Sequence, residues 1–137
     1  RRRLRAPQDV ARVFSVRAAE MVVHVRRVLD FEGVPTVLDD IWLPGTRFRG
    51  LSAEMLDAHD GPLYVLFEAE FGTRMLQGKE RVTACLADAQ AAEILAMTVG
   101  EPLLSVERVS ETYEGEPVEL RRGLYRTDRH HYLSELR

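Results

Sequence analysis

Glu32-Gly33-Val34-Pro35 and Glu114-Gly115-Glu116-Pro117 read as two versions of one turn. Their glycines lie 82 residues apart, from 33 to 115. At that spacing Arg26 falls on Arg108, Val22 on Leu104 and Pro35 on Pro117. Residues 9–16 and 88–97, ahead of the two turns, both carry a helical pattern. The chain thus reads as two copies of one unit: helix, strand, tight turn, strand. Two copies are too few for a solenoid and suit a duplicated, roughly two-fold domain. A chance match is the competing account of so short a repeat. A duplication of this kind places a binding cleft near the join.

The rest of the chain fits around these hairpins. Pro7 suits the first turn of a helix, and Val10, Val13 and Phe14 give that helix an apolar stripe. Residues 21–31 and 36–42 read as strands on either side of Gly33, which is free to take a positive φ. Ser52 caps a short helix through residue 58. Asp60-Gly61-Pro62 breaks it, and a second helix over 63–71 starts near Asp60 and stops at Gly72. Residues 73–84 read as a strand, 87–97 as a helix, and 103–113 and 118–126 as the second hairpin. Residues 127–137 read as loop with a short helical turn. Strands joined by tight hairpins, with helices between hairpins, predict α+β with an antiparallel sheet.

At 137 residues, 45% hydrophobic and 30% charged, the chain has the composition of one soluble globular domain. A net charge of −3 excludes a general polyanion binder. The single cysteine, Cys85, excludes an internal disulfide and fits a reducing, cytoplasmic setting. No apolar run approaches the ~20 residues of a membrane helix, so no membrane partner is expected. Arg1-Arg2-Arg3-Leu4-Arg5 is a basic run, read either as a solvated tail or as the end of a linker.

Period two divides the last strand into two faces. Glu119, Arg121, Gly123 and Tyr125 share one of them: a carboxylate, a guanidinium, a small gap and a phenol. That is the composition of a polar-ligand floor. A solvated face with a salt-bridged pair is the competing reading. On the 73–84 strand Arg74 and Glu80 share a face with Gly78, where a glycine marks either close approach of a ligand or a bulge. No nucleophile elbow and no phosphate loop is present. Cys85 sits among apolar residues and reads as a small core side chain. His130-His131 beside Asp128 lacks ligand spacing, so neither a metal nor any other cofactor is expected. His24 and His59 read as isolated. Trp42 and Leu43, at a strand end, read as core or as exposed apolar dimer surface.

Three stretches carry a family resemblance: Leu103-Leu104-Ser105-Val106-Glu107-Arg108, Tyr113-Glu114-Gly115-Glu116-Pro117-Val118-Glu119 and Leu124-Tyr125-Arg126-Thr127-Asp128-Arg129. Together they resemble the C-terminal signature of the UTRA domain, the effector-binding half of HutC-subfamily, GntR-type bacterial transcription regulators. Arg27 with Gly33 and Pro35, Leu63-Tyr64 with Phe71-Gly72, and the stretch from Arg74 to Glu80 follow in the family's order. The resemblance covers residues 10–133. It implies a chorismate lyase-like fold with internal pseudo-symmetry, in agreement with the repeat.

The same resemblance implies a small-molecule effector, a homodimer, and DNA contact only through an N-terminal winged helix-turn-helix absent from this chain. Residues 1–8 are then the end of the interdomain linker and 9–137 the effector-binding domain. Carried over by position, the effector site includes Glu119, Tyr125 and Tyr64, with Arg27, Arg74 and Glu80 as weaker matches and Arg121 added by its strand face. Two departures stand out. Leu29 replaces a second arginine, and Pro62 replaces a serine before the tyrosine. Both losses remove anion-binding groups, which favours a ligand less charged than a sugar phosphate. The expectation is a non-catalytic sensor. The alternatives are a chorismate lyase-like enzyme acting on a small carboxylated substrate, and a pure dimerisation module whose polar face is filled by its own side chains.

Overall fold

The computed structural model describes residues 2–15 and 20–135. Its elements run β1 (Arg2–Arg5), α1 (Gln8–Phe14), β2 (Met21–Phe31), β3 (Val34–Pro44), α2 (Ala53–Ala58), α3 (Leu63–Phe71), β4 (Gln77–Leu86), α4 (Ala89–Ile94), β5 (Pro102–Glu111) and β6 (Pro117–Tyr125). The strands form one antiparallel sheet in the order β1-β2-β3-β6-β5-β4. The α+β reading and the two-fold repeat are both present. One half is β1-α1-β2-β3, the other β4-α4-β5-β6, and β3 and β6 meet at the pseudo-axis.

The two turns share a backbone state: Gly33 and Gly115 both sit at φ +79°. In the first, Glu32 also takes a positive φ of 54°, so a two-residue connection with matched twist closes the hairpin. The second connection is longer, with the Thr112 amide donating to the Glu116 carbonyl at 2.9 Å. That difference corrects the uniform spacing expected from sequence. Val28 faces Leu38, and Val109 faces Leu120. Leu38 and Leu120 are 82 apart, but Val28 and Val109 are 81 apart. The extra residue lies in the second turn, so the equivalent of Arg108 is Arg27, not Arg26. Ser15 and Ala96, which follow α1 and α4, are also 81 apart and share a left-handed backbone, at φ 54° and 53°.

The helices divide between the two faces of the sheet. α2 and α3 cover one half of one face, where Val23, Val25, Ile41 and Leu43 meet Phe48, Leu51, Leu63, Leu66 and Phe67. Phe48 stands edge-on to Phe67, with ring centres 5.0 Å apart. Each fully buried side chain of this kind contributes ~1.5–3 kcal/mol. α1 and α4 cover the opposite face, α1 over Val22 and Leu120, α4 over Leu38 and Leu103. The capping residues explain the helix starts. Ser52 Oγ accepts from the Met55 amide at 3.1 Å, and Asp88 Oδ1 from the Ala91 amide at 2.8 Å.

Several boundaries differ from expectation. Arg2–Arg5, expected to carry no element, is an edge strand paired with β2. α3 begins after Pro62 with no side-chain cap, not near Asp60. Residues 73–76 are not strand. The Thr73 amide still donates to the Phe67 carbonyl, closing α3 around Gly72, and the first bond to β5 is from Leu76 to the Glu111 carbonyl. The helix expected over 87–97 is limited to Ala89–Ile94. Residues 127–135 contain no helical turn. Val16, expected within the first helix, and Leu136 and Arg137 of the tail lie outside the described residues.

His24 is not isolated. It is buried, stacks on Trp42 at 4.6 Å, accepts at Nδ1 from Arg2 Nε at 3.2 Å, and donates from Nε2 to Asp40 Oδ1 at 2.7 Å. The Arg122 guanidinium covers Trp42 at 5.3 Å. Leu43 is fully buried. Of the two readings of this corner, Leu43 takes the core one, and Trp42 is half-buried between His24 and Arg122.

Candidate functional site

α2 and α3 leave the other half of their sheet face open, and the polar side chains of β6 lie there. Register fixes their neighbours. Ser110 faces Glu119, Arg108 faces Arg121, and Asp39 faces Gly123. Glu80 faces Arg108 on the outer strand, and Arg27 faces Asp39 on the inner one. Residues from five strands thus form one polar band across the sheet.

Glu119 is its fixed point. The carboxylate is 1% exposed and accepts from Arg121 Nη2 at 2.9 Å, Arg108 Nη2 at 3.2 Å and Ser110 Oγ at 3.2 Å. Burial of a carboxylate is tolerated only with such partners. Asp39, also buried, accepts from Arg27 Nε at 2.9 Å and lies 3.7 Å from Arg121 Nη1. Arg121 therefore sits between two carboxylates. Three guanidinium groups, Arg27, Arg108 and Arg121, oppose three carboxylates, Asp39, Glu119 and, at the outer edge, Glu80, so the charges of the band balance. Asp39 Oδ1, Arg108 Nε and Arg121 Nε are buried without a hydrogen-bond partner among the described residues. Such atoms are costly to leave unsatisfied. Of these three residues only Arg108 also lines a cavity.

Beside this clamp lies a cavity of about 290 Å³, lined by Tyr64, Met75, Leu76, Gln77, Gly78, Arg108 and Ser110. Tyr64 projects from α3 and is more than half exposed. At the other end of the band, Tyr125 folds back over Gly123. A Cβ on Gly123 would stand 2.6 Å from Tyr125 Cε1. The gap read at Gly123 is therefore filled by Tyr125. Burial first, and then the Asp39 carboxylate, push the Tyr125 phenol above its usual range.

The C-terminal tail closes this end. Tyr132 stands edge-on to Tyr125 at 5.7 Å, and its hydroxyl donates to Glu80 Oε2 at 2.5 Å. That bond pushes the Tyr132 phenol up to about 12.

The structure thus brings together Arg27, Glu119, Arg121 and Tyr125, places Tyr64 across the cavity, and sets Glu80 on the band's outer edge. It does not bring Arg74 there. Because 73–76 is connection and not strand, the Arg74 side chain is 70% exposed, 3.9 Å from Glu68, and lines a separate hollow with Arg47 and Tyr113. Sequence reading missed Asp39, Arg108, Ser110 and Tyr132 as members of the band. Arg108 was within reach as the symmetry mate of Arg27, had the repeat been given its 81-residue spacing. Ser110 and Asp39 become visible only through strand register.

Comparison with known proteins agrees with this architecture. The family model described as "UTRA domain" matches residues 1–131. The HTH-type transcriptional repressor PhnF of Mycolicibacterium smegmatis is 32% identical over 126 residues, which cover 92% of this chain and 50% of that protein. The probable fructoselysine utilization operon transcriptional repressor of Escherichia coli is 25% identical over 108 residues, covering 79% and 44%. The chain spans about half the length of these curated relatives. Among solved structures, the ligand-binding domain of a protein classed as a GntR-family transcriptional regulator, from Bordetella bronchiseptica, superposes with a TM-score of 0.93 at 51% identity, covering 99% of this chain and 86% of that one. The effector domain of PhnF gives 0.84 at 27% identity, covering 99% and 82%. With the fold, the repeat and the match to nearly its whole length in agreement, the chain belongs to the UTRA domain family.

Proposed function

We propose that this chain is the ligand-sensing part of a bacterial transcription regulator of the GntR type, HutC subfamily. A small metabolite binds on the Glu119 band, between the sheet and α3. The observation that carries this reading is the buried Glu119 clamp, two of whose members, Arg108 and Ser110, line a cavity. The relatives' printed descriptions as transcriptional repressors and as a ligand-binding domain support it. They also favour a non-catalytic role over a lyase.

The three free atoms set the ligand's chemistry. Two guanidinium Nε–H groups ask for acceptors, and Asp39 Oδ1 asks for a donor. With its charges balanced, the band holds no surplus cation for a strongly anionic molecule. A polyhydroxylated or amino-bearing metabolite fits this pattern better than a doubly charged phosphate. In the whole regulator the domain works as a cytoplasmic homodimer, and DNA is contacted by a helix-turn-helix segment outside this chain. Ligand affinity that differs between two dimer arrangements shifts their populations, and so operator binding.

A thermal-shift screen of sugars, sugar phosphates, amino acids and nucleosides tests the reading. A ligand at ~100 times its dissociation constant adds about 2.7 kcal/mol. Stabilisation by a neutral or singly charged polyol or amine supports it. A screen in which only apolar molecules stabilise the chain contradicts it.

A further inference from the structure

The sheet has two edges, and they are finished differently. β1 is four residues long and carries Arg2, Arg3 and Arg5, a short charged edge of the kind that discourages strand addition. β4 is ten residues long, and every residue except Cys85 is exposed. Among them are Val82 at 49% and Leu86 at 68% exposure. Neither is covered by a helix of this chain.

The backbone of β4 is set for a further strand. The Ala87 amide donates to the Glu101 carbonyl at 2.9 Å, in line with the register that pairs Leu86 with Pro102. Backbone direction alternates along an antiparallel strand. The odd-numbered residues of β4 therefore bond to β5, and Gly78, Glu80, Val82, Ala84 and Leu86 turn their amides and carbonyls outward.

We propose that β4 pairs antiparallel with β4 of a second copy of this chain, about a two-fold axis at Val82. Self-pairing of a strand sets same-face residues opposite one another, so the axis must pass through a residue. An axis at Lys79, Glu80 or Arg81 sets like charges against each other, which is destabilising. An axis at Val82 gives the longest register free of that conflict. It pairs residues 78 through 86, setting Glu80 against Ala84, Arg81 against Thr83, and Lys79 against Cys85. Val82 meets its own copy across the axis, and Leu86 lies against the bare backbone of Gly78.

This last pair joins the interface to the candidate site. Gly78 lines the cavity beside Arg108 and Ser110. Leu86 of one copy therefore borders the cavity of the other. The inference rests on the homodimer of the proposed regulator, but its test needs no ligand. Its failure leaves the Glu119 band untouched.

Sedimentation of the chain should give twice the 15.6 kDa chain mass. Val82→Lys, on an exposed side chain with its β5 pairing intact, should sediment as a folded monomer by circular dichroism. A second experiment fixes the register. Arg81→Cys and Thr83→Cys chains, each in a Cys85→Ser background, are mixed under a mild oxidant. A non-hydrogen-bonded antiparallel pair, with Cα atoms ~4.5 Å apart, is within disulfide reach. The mixture should give covalent dimer at least ten times faster than either chain alone. A wild-type monomer, a Val82→Lys dimer, or equal cross-linking of each chain by itself would overturn the proposal.

Discussion

Arg108 and Arg121 face each other directly on β5 and β6, and both turn an Nη2 to the Glu119 carboxylate, at 3.2 and 2.9 Å. Like charges opposite one another across strands repel. Here a buried carboxylate holds the pair together, and their two Nε–H groups have no partner among the described residues. In the proposed site Glu119 thus organises these donors instead of presenting itself to the ligand.

The first prediction follows from that role. Glu119→Gln removes the charge between two guanidinium groups, one of them mostly buried. Loss of one partner of a buried pair costs 3–5 kcal/mol. The partial exposure of Arg108 places the expected loss at the lower end, about 3 kcal/mol in urea unfolding. An unchanged unfolding midpoint would show that the clamp carries no stability.

A second prediction concerns Gly123. An added Cβ meets the Tyr125 ring, the mobile end of a side chain, and not backbone. Gly123→Ala should cost ~1 kcal/mol by overpacking. In a Tyr125→Ala background the cost should fall to near zero. A double-mutant cycle with no coupling between the two positions would contradict the placement of that ring.

The tail supplies a prediction in pH. The Tyr132 phenol is raised to about 12, first by its bond to Glu80 and then by burial. A raised phenol contributes stability that is complete below its unfolded value near 10 and is lost as pH rises through 12. Alkaline titration at 295 nm should show a component near 12, and Tyr132→Phe should remove that component. Glu80→Gln should bring the component down toward 10. A wild-type titration with no component near 12 would show that the tail is undocked.

On the opposite face the pH argument reverses. Burial raises the Asp40 carboxyl, but hydrogen bonds from Arg26 and His24 more than offset it, and the group is held below its usual 3.8. Its stabilisation is present above that value and is lost as the pH falls below it. Asp40→Asn should therefore flatten the acid limb of stability below pH 4. An acid limb identical to wild type would contradict the link.

How much of this was legible in the sequence differs by level. The hairpins were, because Gly33 and Gly115 mark turns through a backbone state that few other residues adopt. The face shared by Glu119, Arg121 and Tyr125 was, because strand period is strictly two. Register across strands was not. One extra residue in the second turn moves the partner of Arg27 from expectation, and hides Arg108 as its mate. Arg74 was assigned to a strand because nothing local shows that Thr73 is still closing α3. Asp39 carries no signal beyond one more acidic residue until its neighbours are known. Tyr132 reaches Glu80 across 52 residues of chain, beyond any local pattern.

The central claim is that ligand meets the free donors of the Glu119 band. Titration calorimetry with the stabilising compound from the screen tests it on three chains: wild type, Arg108→Lys and Arg74→Ala. Lysine keeps the charge but loses the guanidinium Nε–H and its planar geometry. Arg108→Lys should weaken binding at least tenfold, about 1.4 kcal/mol, and Arg74→Ala should bind as wild type. Unchanged affinity in Arg108→Lys, with loss in Arg74→Ala, would place the ligand in the hollow beside Arg47 and contradict the account.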